Sequence, residues 1–93
     1  MPYQLRYHPD VAAVDLPLIN KNIRERIRKA IEQRLLNDPI QFGAPLRGTL
    51  KGYRKLRVGD YRVIYEVLGA EIRIYAIGNR KDIYETRVRA WEG

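Results

Sequence analysis

The stretch KLRVGDYRVIYEV, residues 55–67, carries the side chains best suited to chemistry. It reads as two strands joined by a tight turn at Val58-Gly59-Asp60. Lys55 and Arg57 lie on the first strand and Arg62 on the second, so three long cations share one hairpin. Like charges facing each other across a strand pair are destabilising, and their concentration calls for a reason. Each arginine presents a planar fork that grips a phosphate through two parallel hydrogen bonds. Tyr53, Tyr75 and Tyr84 flank these cations in the chain and offer surfaces on which bases stack. Residues of these types predict the binding of a polyanion, and RNA is the polyanion they suit.

The whole chain points the same way. Its 93 residues carry a formal net charge of +7, with a pI near 10.0. An excess of that size in so small a chain favours an acidic partner, whether nucleic acid, an anionic membrane surface or an acidic protein. Apolar residues make up 45% of the sequence, enough for a packed core, and residues 1–93 are expected to form one domain. There is no cysteine, which excludes disulfides and thiolate chemistry. A single histidine among scattered carboxylates makes a metal site unexpected, and no cofactor is implied. MPYQLRYHPD lacks a long apolar run, so no signal peptide is expected, and no stretch approaches the roughly 20 apolar residues that span a bilayer. A cytoplasmic protein without a membrane partner is the expectation.

The elements that must position the cations follow from periodicity. Residues 3–7, YQLRY, alternate as a strand with Tyr3, Leu5 and Tyr7 on one face, and Pro9 stops it. Asp10 is the expected N-cap of a short helix, VAAVDL, that Pro17 ends. A longer helix is predicted over about residues 19–37, where Ile23, Ile27, Ala30, Ile31 and Leu35 make one apolar stripe. Its basic residues, Lys21, Arg24, Arg28 and Lys29, fall mainly off that stripe, and a solvated face explains them at least as well as a ligand. Residues 40–52 read as irregular, and three strands then follow as an antiparallel meander. The predicted class is α+β: a small antiparallel twisted sheet with an N-terminal strand and two helices packed on one face.

Alternation across the strands sorts the side chains. Leu56, Val58, Val63, Val67, Ile72 and Ile74 are expected under the helices, with Ala76 on the side of Ile72 and Ile74. Lys55, Arg57, Arg62, Arg73, Tyr75 and Ile77 fall on the opposite, open face, and Arg80 and Tyr84 are placed to fold back beside it. Cations on the solvent side of a sheet are ordinary, since they guard edges against aggregation. The set as a whole favours an RNA-binding surface. His8, before Pro9, reads as structural, and Glu66 as an ion-pair partner that spaces the cations.

Four pieces in order, LRG at 46–48, YRKLR at 53–57, GDYRVIY at 59–65 and GNRKDIY at 78–84, resemble the RelE/ParE superfamily of toxins from toxin–antitoxin pairs. The resemblance covers nearly the whole chain. It implies a RelE fold like that of small microbial ribonucleases. In RelE-like members it implies a metal-independent endoribonuclease that cuts the mRNA codon in the ribosomal A site, an mRNA interferase that inhibits translation. In ParE-like members it implies inhibition of DNA gyrase. Carried over by position, the catalytic set is Lys55, Arg62, Arg80 and Tyr84, with Arg54, Arg57, Arg73, Tyr75 and Lys81 as RNA-binding residues. Arg54 matches a second strand lysine only through a one-residue gap and points away from Lys55, so Arg57 is preferred there.

The reaction so implied is attack of a 2′-OH on the adjacent phosphate, leaving a 2′,3′-cyclic phosphate and a 5′-OH. It needs a base, charge stabilisation at phosphorus and an acid. Lys55, crowded by guanidinium groups that favour loss of its proton, is the candidate base. Arg62 and Arg80 would hold the phosphate. Tyr84 would stack on a base or help protonate the leaving oxygen. Substrate geometry would come from the ribosome. The implied partners are a cognate antitoxin, in a hetero-oligomer, and the ribosome with mRNA in its A site. A gyrase inhibitor and a non-catalytic RNA- or ribosome-binding module are the competing readings.

Overall fold

A computed structural model describes residues 3–83 of the chain. Gly59 (φ 59°) and Gly69 (φ 60°) take the left-handed conformation that tight turns require and that a side chain disfavours. They join β3 (Arg54–Val58), β4 (Tyr61–Leu68) and β5 (Glu71–Asn79) into the expected antiparallel meander. β1 (Gln4–Tyr7) adds to the far edge of β5, and a two-residue strand, β2 (Ala44–Pro45), adds to β3, giving the order β1-β5-β4-β3-β2. β1 runs parallel to β5, with Leu5 opposite Ile72 and Tyr7 opposite Ile74, so the sheet is mixed where the sequence predicted an antiparallel one. A parallel neighbour needs a long crossover, and the intervening helices and meander supply it.

The first helical segment runs over Val11–Asp15 and continues through Leu16–Leu18. Asp10 does not cap it with its side chain; instead the Asp10 N–H donates to His8 Nδ1 at 3.1 Å, which gives the histidine its structural role. The second helix, α1 (Lys21–Ala30), passes into a wider helical stretch over Ile31–Leu35. It begins two residues later than the periodicity indicated because Asn20 is extended and its side chain accepts the Asn22 N–H at 2.8 Å. Both helices cover one face of the sheet. Val11, Ile27, Ile31 and Leu35 meet Leu56, Val63, Tyr65, Ile72 and Ile74 there, all at most 1% exposed.

One irregularity redirects the last strand. Ile64 pairs with Ala76 while Tyr65 pairs with Ile74, so Tyr75 is an extra, bulged residue. Past the bulge the alternation is reset. Ile77, expected on the open face, joins the helix-side core, and Ala76 takes the other side with Ile64 and Ile83.

Two devices close the edges. β1 stops pairing at Tyr7, and beyond it the Ile77 N–H is received by the carboxylate of Asp15, a residue 9% exposed, at 2.9 Å. A buried charge is tolerated where hydrogen bonds satisfy it. At the other edge, Tyr65 donates to Pro39 O at 2.6 Å, and Arg54 donates to Ile40 O (2.7 Å) and Gly43 O (3.0 Å). A Cβ on Gly43 would lie 1.5 Å from the Tyr65 hydroxyl oxygen, so this loop closes over the tyrosine only with glycine. Among the described residues no helix is long and apolar enough to cross a membrane.

Candidate nucleic-acid interface

The face away from the helices has an apolar middle. Ile64, Ala76 and Ile83 are buried there, with Leu46 and Tyr53 packed against them. Ile83 reaches this position because the chain turns after β5, where Asn79 O accepts the N–H groups of Asp82 (3.0 Å) and Ile83 (2.9 Å). Gly78 leaves room for it: a Cβ would stand 3.0 Å from Ile83 Cδ1. The expected continuous cationic surface is therefore two charged ends separated by an apolar patch.

The first end lies at the β3–β4 turn. Arg57 and Arg62 stand directly opposite each other in the ladder, and Lys55, facing Ile64, lies two residues along the same side of β3. Arg62 as a residue is 9% exposed, and its guanidinium Nη1 donates to Gly59 O and Tyr61 O, both at 2.9 Å. Of the five N–H donors in its fork, those two bonds occupy one nitrogen and fix the plane, so the Nε–Nη2 edge is held in a set direction. Arg80 comes to the same turn from β5. Its N–H donates to Asp60 O at 2.7 Å, and its half-exposed guanidinium lies 3.8 Å from the Asp60 carboxylate. Arg57 is exposed. The fold thus gathers Lys55, Arg57, Arg62 and Arg80, residues up to 25 positions apart, around one hairpin tip.

The second end is differently built. Arg73 pairs with Glu66 and donates from Nε to Glu71 at 2.8 Å, and Arg6 reaches the same carboxylate at 3.4 Å. The hydrogen bond from Arg73, reinforced by both positive charges, holds the Glu71 carboxyl below the usual carboxylate range, and the same bond raises Arg73. Tyr75 is 4% exposed, donates to Glu66 at 2.9 Å and meets Tyr53 edge-on, with ring centroids 5.0 Å apart at 88°. Its burial, together with the Glu66 carboxylate, pushes its pKa up to about 12. A ring so covered presents no stacking face, so of this pair only the partly exposed Tyr53 retains one. Arg62 pairs with Gly78 and Arg73 with Glu66. That separation of four residues along β4 amounts to roughly 13 Å.

The remaining expected residues are dispersed. Arg54 projects to the helix side, where it ties down the 39–45 loop rather than joining Lys55. Lys81 is exposed on the 79–83 turn, its N–H bound to the Asn79 side chain at 2.9 Å. Tyr84 lies outside the described residues. Two residues that the sequence reading passed over do reach the first end. An Arg26 Nη2 lies 3.8 Å from where a Gly59 Cβ would be, and Arg34 Nη1 lies 3.5 Å from Arg57 O. Their spacing, Arg26-Ala30-Arg34, is a helix-face signal that was available beside the apolar stripe.

Comparison with known proteins gives a consistent answer. Residues 5–84 match the model of the ParE toxin of type II toxin–antitoxin systems (parDE). The chain is 36% identical over 66 residues to toxin RelE of Mycobacterium tuberculosis, covering 71% of this chain and 68% of that one. It is similar in structure to a chain of the RelBE2 toxin–antitoxin complex from Mycobacterium tuberculosis (TM-score 0.79, 26% identity, 86% of this chain and 100% of the other). It is also similar to one from the RelB–RelE antitoxin–toxin complex of Methanococcus jannaschii (TM-score 0.65, 27% identity, 85% and 94%). A doubly arginine-to-alanine substituted E. coli toxin RelE shares the fold at 19% identity (TM-score 0.71, 90% of each chain). The chain belongs to the ParE toxin family of the RelE/ParE superfamily. It is a RelE-like toxin of a type II toxin–antitoxin system.

Proposed function

We propose that this toxin is a ribosome-dependent endoribonuclease that cuts mRNA in the A site, and that an antitoxin neutralises it. The observation that carries the reading is the opposed pair Arg57–Arg62 with Arg80 at the same turn. Facing like charges are unfavourable in the free protein, and a phosphate seated between them removes the conflict. Lys55, on the same side of β3, takes the proton of the attacking 2′-OH. Arg62, its fork preset by two carbonyls, and Arg80 carry the charge that develops on the phosphoryl oxygens. The products are a 2′,3′-cyclic phosphate and a 5′-OH, and Tyr84 is the residue assigned to the leaving oxygen or to stacking. No carboxylate–histidine pair serves in this scheme. Glu66 is engaged by Tyr75 and His8 by the Asp10 amide. The ribosome would then supply the in-line geometry that such a site does not impose alone.

The antitoxin reading draws on relatives crystallised as toxin–antitoxin complexes. A net charge of +7 suits an acidic neutralising segment. The test is primer extension on a defined mRNA in a purified translation system, comparing wild type with Arg80→Ala. Cuts inside the A-site codon that need ribosomes and disappear in the variant are expected. Intact mRNA with folded, antitoxin-free wild type would overturn the reading. Inhibition of gyrase supercoiling by that preparation would then establish the activity for which ParE-like members are known.

A further inference from the structure

The cleavage chemistry leaves the apolar patch between the two charged ends without a task. Tyr53 stands on that patch, just before β3. Its backbone is held on both sides: its N–H donates to Leu50 O at 3.1 Å, and its carbonyl accepts the Leu46 N–H at 2.9 Å. Its ring packs against the cluster of Ile64, Ala76 and Ile83 and meets Tyr75 edge-on. Tyr75 is pinned in turn by its hydrogen bond to Glu66. A ring backed in this way has little freedom left to lose when a ligand settles on it. Tyr53 nevertheless keeps part of its surface exposed.

Strand geometry sets what lies beside it. Alternate side chains share a face, so Tyr53, Lys55 and Arg57 follow one another on the open side at steps of roughly 7 Å. Arg57 opposes Arg62 at the tip, and Lys55, facing Ile64, lies between tip and patch. Beyond Tyr53 the 46–53 loop brings two exposed cations, Arg47 and Lys51. Towards the second charged end the positive groups are engaged instead, since Arg73 and Arg6 both bind Glu71, and the Tyr75 ring is covered. A strand anchored at the tip by a phosphate therefore meets an aromatic surface and further cations along β3.

We infer that Tyr53 is a substrate-binding residue that stacks on the base of the nucleotide immediately 5′ of the cut, an assignment that rests on the proposed cleavage of mRNA. The reason for that nucleotide is chemical. The attacking 2′-OH belongs to the sugar 5′ of the scissile phosphate, and Lys55, which takes its proton, is the neighbour of Tyr53 on the same face. A base fixed on Tyr53 holds its own sugar beside Lys55, and orientation of this kind lowers the barrier to attack. Stacking is open to every base, because each has a π-face.

Two measurements test the inference, and the first needs no cleavage. A short strand of abasic 2′-deoxy sites offers phosphates but neither base nor 2′-OH. It is titrated against the full chain by fluorescence anisotropy, beside the same strand with one adenine restored. The adenine is expected to tighten wild-type binding by about tenfold, within the range for one stacked base. Tyr53→Leu keeps apolar bulk without a ring and should lose that gain, whereas Tyr53→Trp should keep it. The second measurement is A-site cleavage in the purified translation system. Tyr53→Leu should slow it about tenfold on an intact codon and by less than about twofold on a codon already abasic 5′ of the cut, the signature of two coupled groups. An abasic nucleotide 3′ of the cut should leave the effect of Tyr53→Leu in place. No adenine gain in wild type, a gain that survives in Tyr53→Leu, or an equal loss on intact and abasic codons would each overturn the inference. If the adenine gain depends on Tyr53 but wild type leaves mRNA intact, the stacking stands and the nuclease reading falls. Matching circular dichroism of the variants excludes unfolding as the cause.

Discussion

If Arg57 and Arg62 are held together against their own repulsion for the sake of an anion, then removing one should stabilise the free protein while disabling it. The ladder places the two residues directly opposite each other. Opposed side chains start about 5 Å apart, and Arg62, a residue 9% exposed, has its guanidinium pinned to the turn carbonyls. Charges about 7 Å apart repel by about 0.6 kcal/mol in water and about 2 kcal/mol at an effective dielectric constant of 20. A partly shielded pair between these limits gives about 1 kcal/mol. Arg57→Gln keeps most of the side-chain stem and removes the charge. Its expected effect at 10 mM salt is a rise in Tm of about 4–8 °C, the usual equivalent of 1 kcal/mol in a domain of this size. At 1 M salt the screening length falls to about 3 Å, and the gain should vanish. Scanning calorimetry at the two salt concentrations measures it. In parallel, ribosome-dependent cleavage should fall by at least about tenfold as the phosphate loses a fork. A lower Tm, or a gain that survives 1 M salt, would refute the electrostatic argument, and stabilisation without loss of activity would refute the role.

Two further expectations concern the frame around the site. Asp15→Ala strips the Ile77 amide of the carboxylate that accepts its N–H, and leaving a buried donor unmet costs about 1–3 kcal/mol; hydrogen exchange should show faster exchange at Ile77, and protection equal to wild type would argue that the carboxylate does not seal that edge. Tyr75, with its pKa up to about 12 against the ordinary 10.0, favours the protonated hydroxyl in the folded state. Its contribution to stability is complete below pH 10 and is lost as pH climbs from 10 towards 12. The difference in stability between wild type and Tyr75→Phe should therefore shrink across that window, and a difference independent of pH would exclude the assignment.

The sequence by itself determined the meander, its two turns and the residues beneath the helices. Those features are local: a period of two, a period of 3.6 and glycines at positive φ are written into a few neighbouring positions. It also determined the face on which Lys55, Arg57, Arg62 and Arg73 fall, because alternation carries a residue's side along a regular strand. What alternation cannot carry is a bulge. The extra residue at Tyr75 reversed Ala76 and Ile77, and nothing in EIRIYAI marks it before β4 is laid alongside. The parallel placement of β1, the capping of Ile77 by Asp15 and the recruitment of Arg54 to the 39–45 loop join groups 11 to 67 positions apart. Such contacts depend on which surfaces pack, not on local preference. The same holds for the site. Sequence supplied the cations, but only the tertiary structure split them into an engaged, acid-paired end at Arg73 and a tip where Arg57, Arg62 and Arg80 converge. Only there, with the helices in place, do Arg26 and Arg34 come round to meet them, because charge at a distance is arranged by the packing of whole elements.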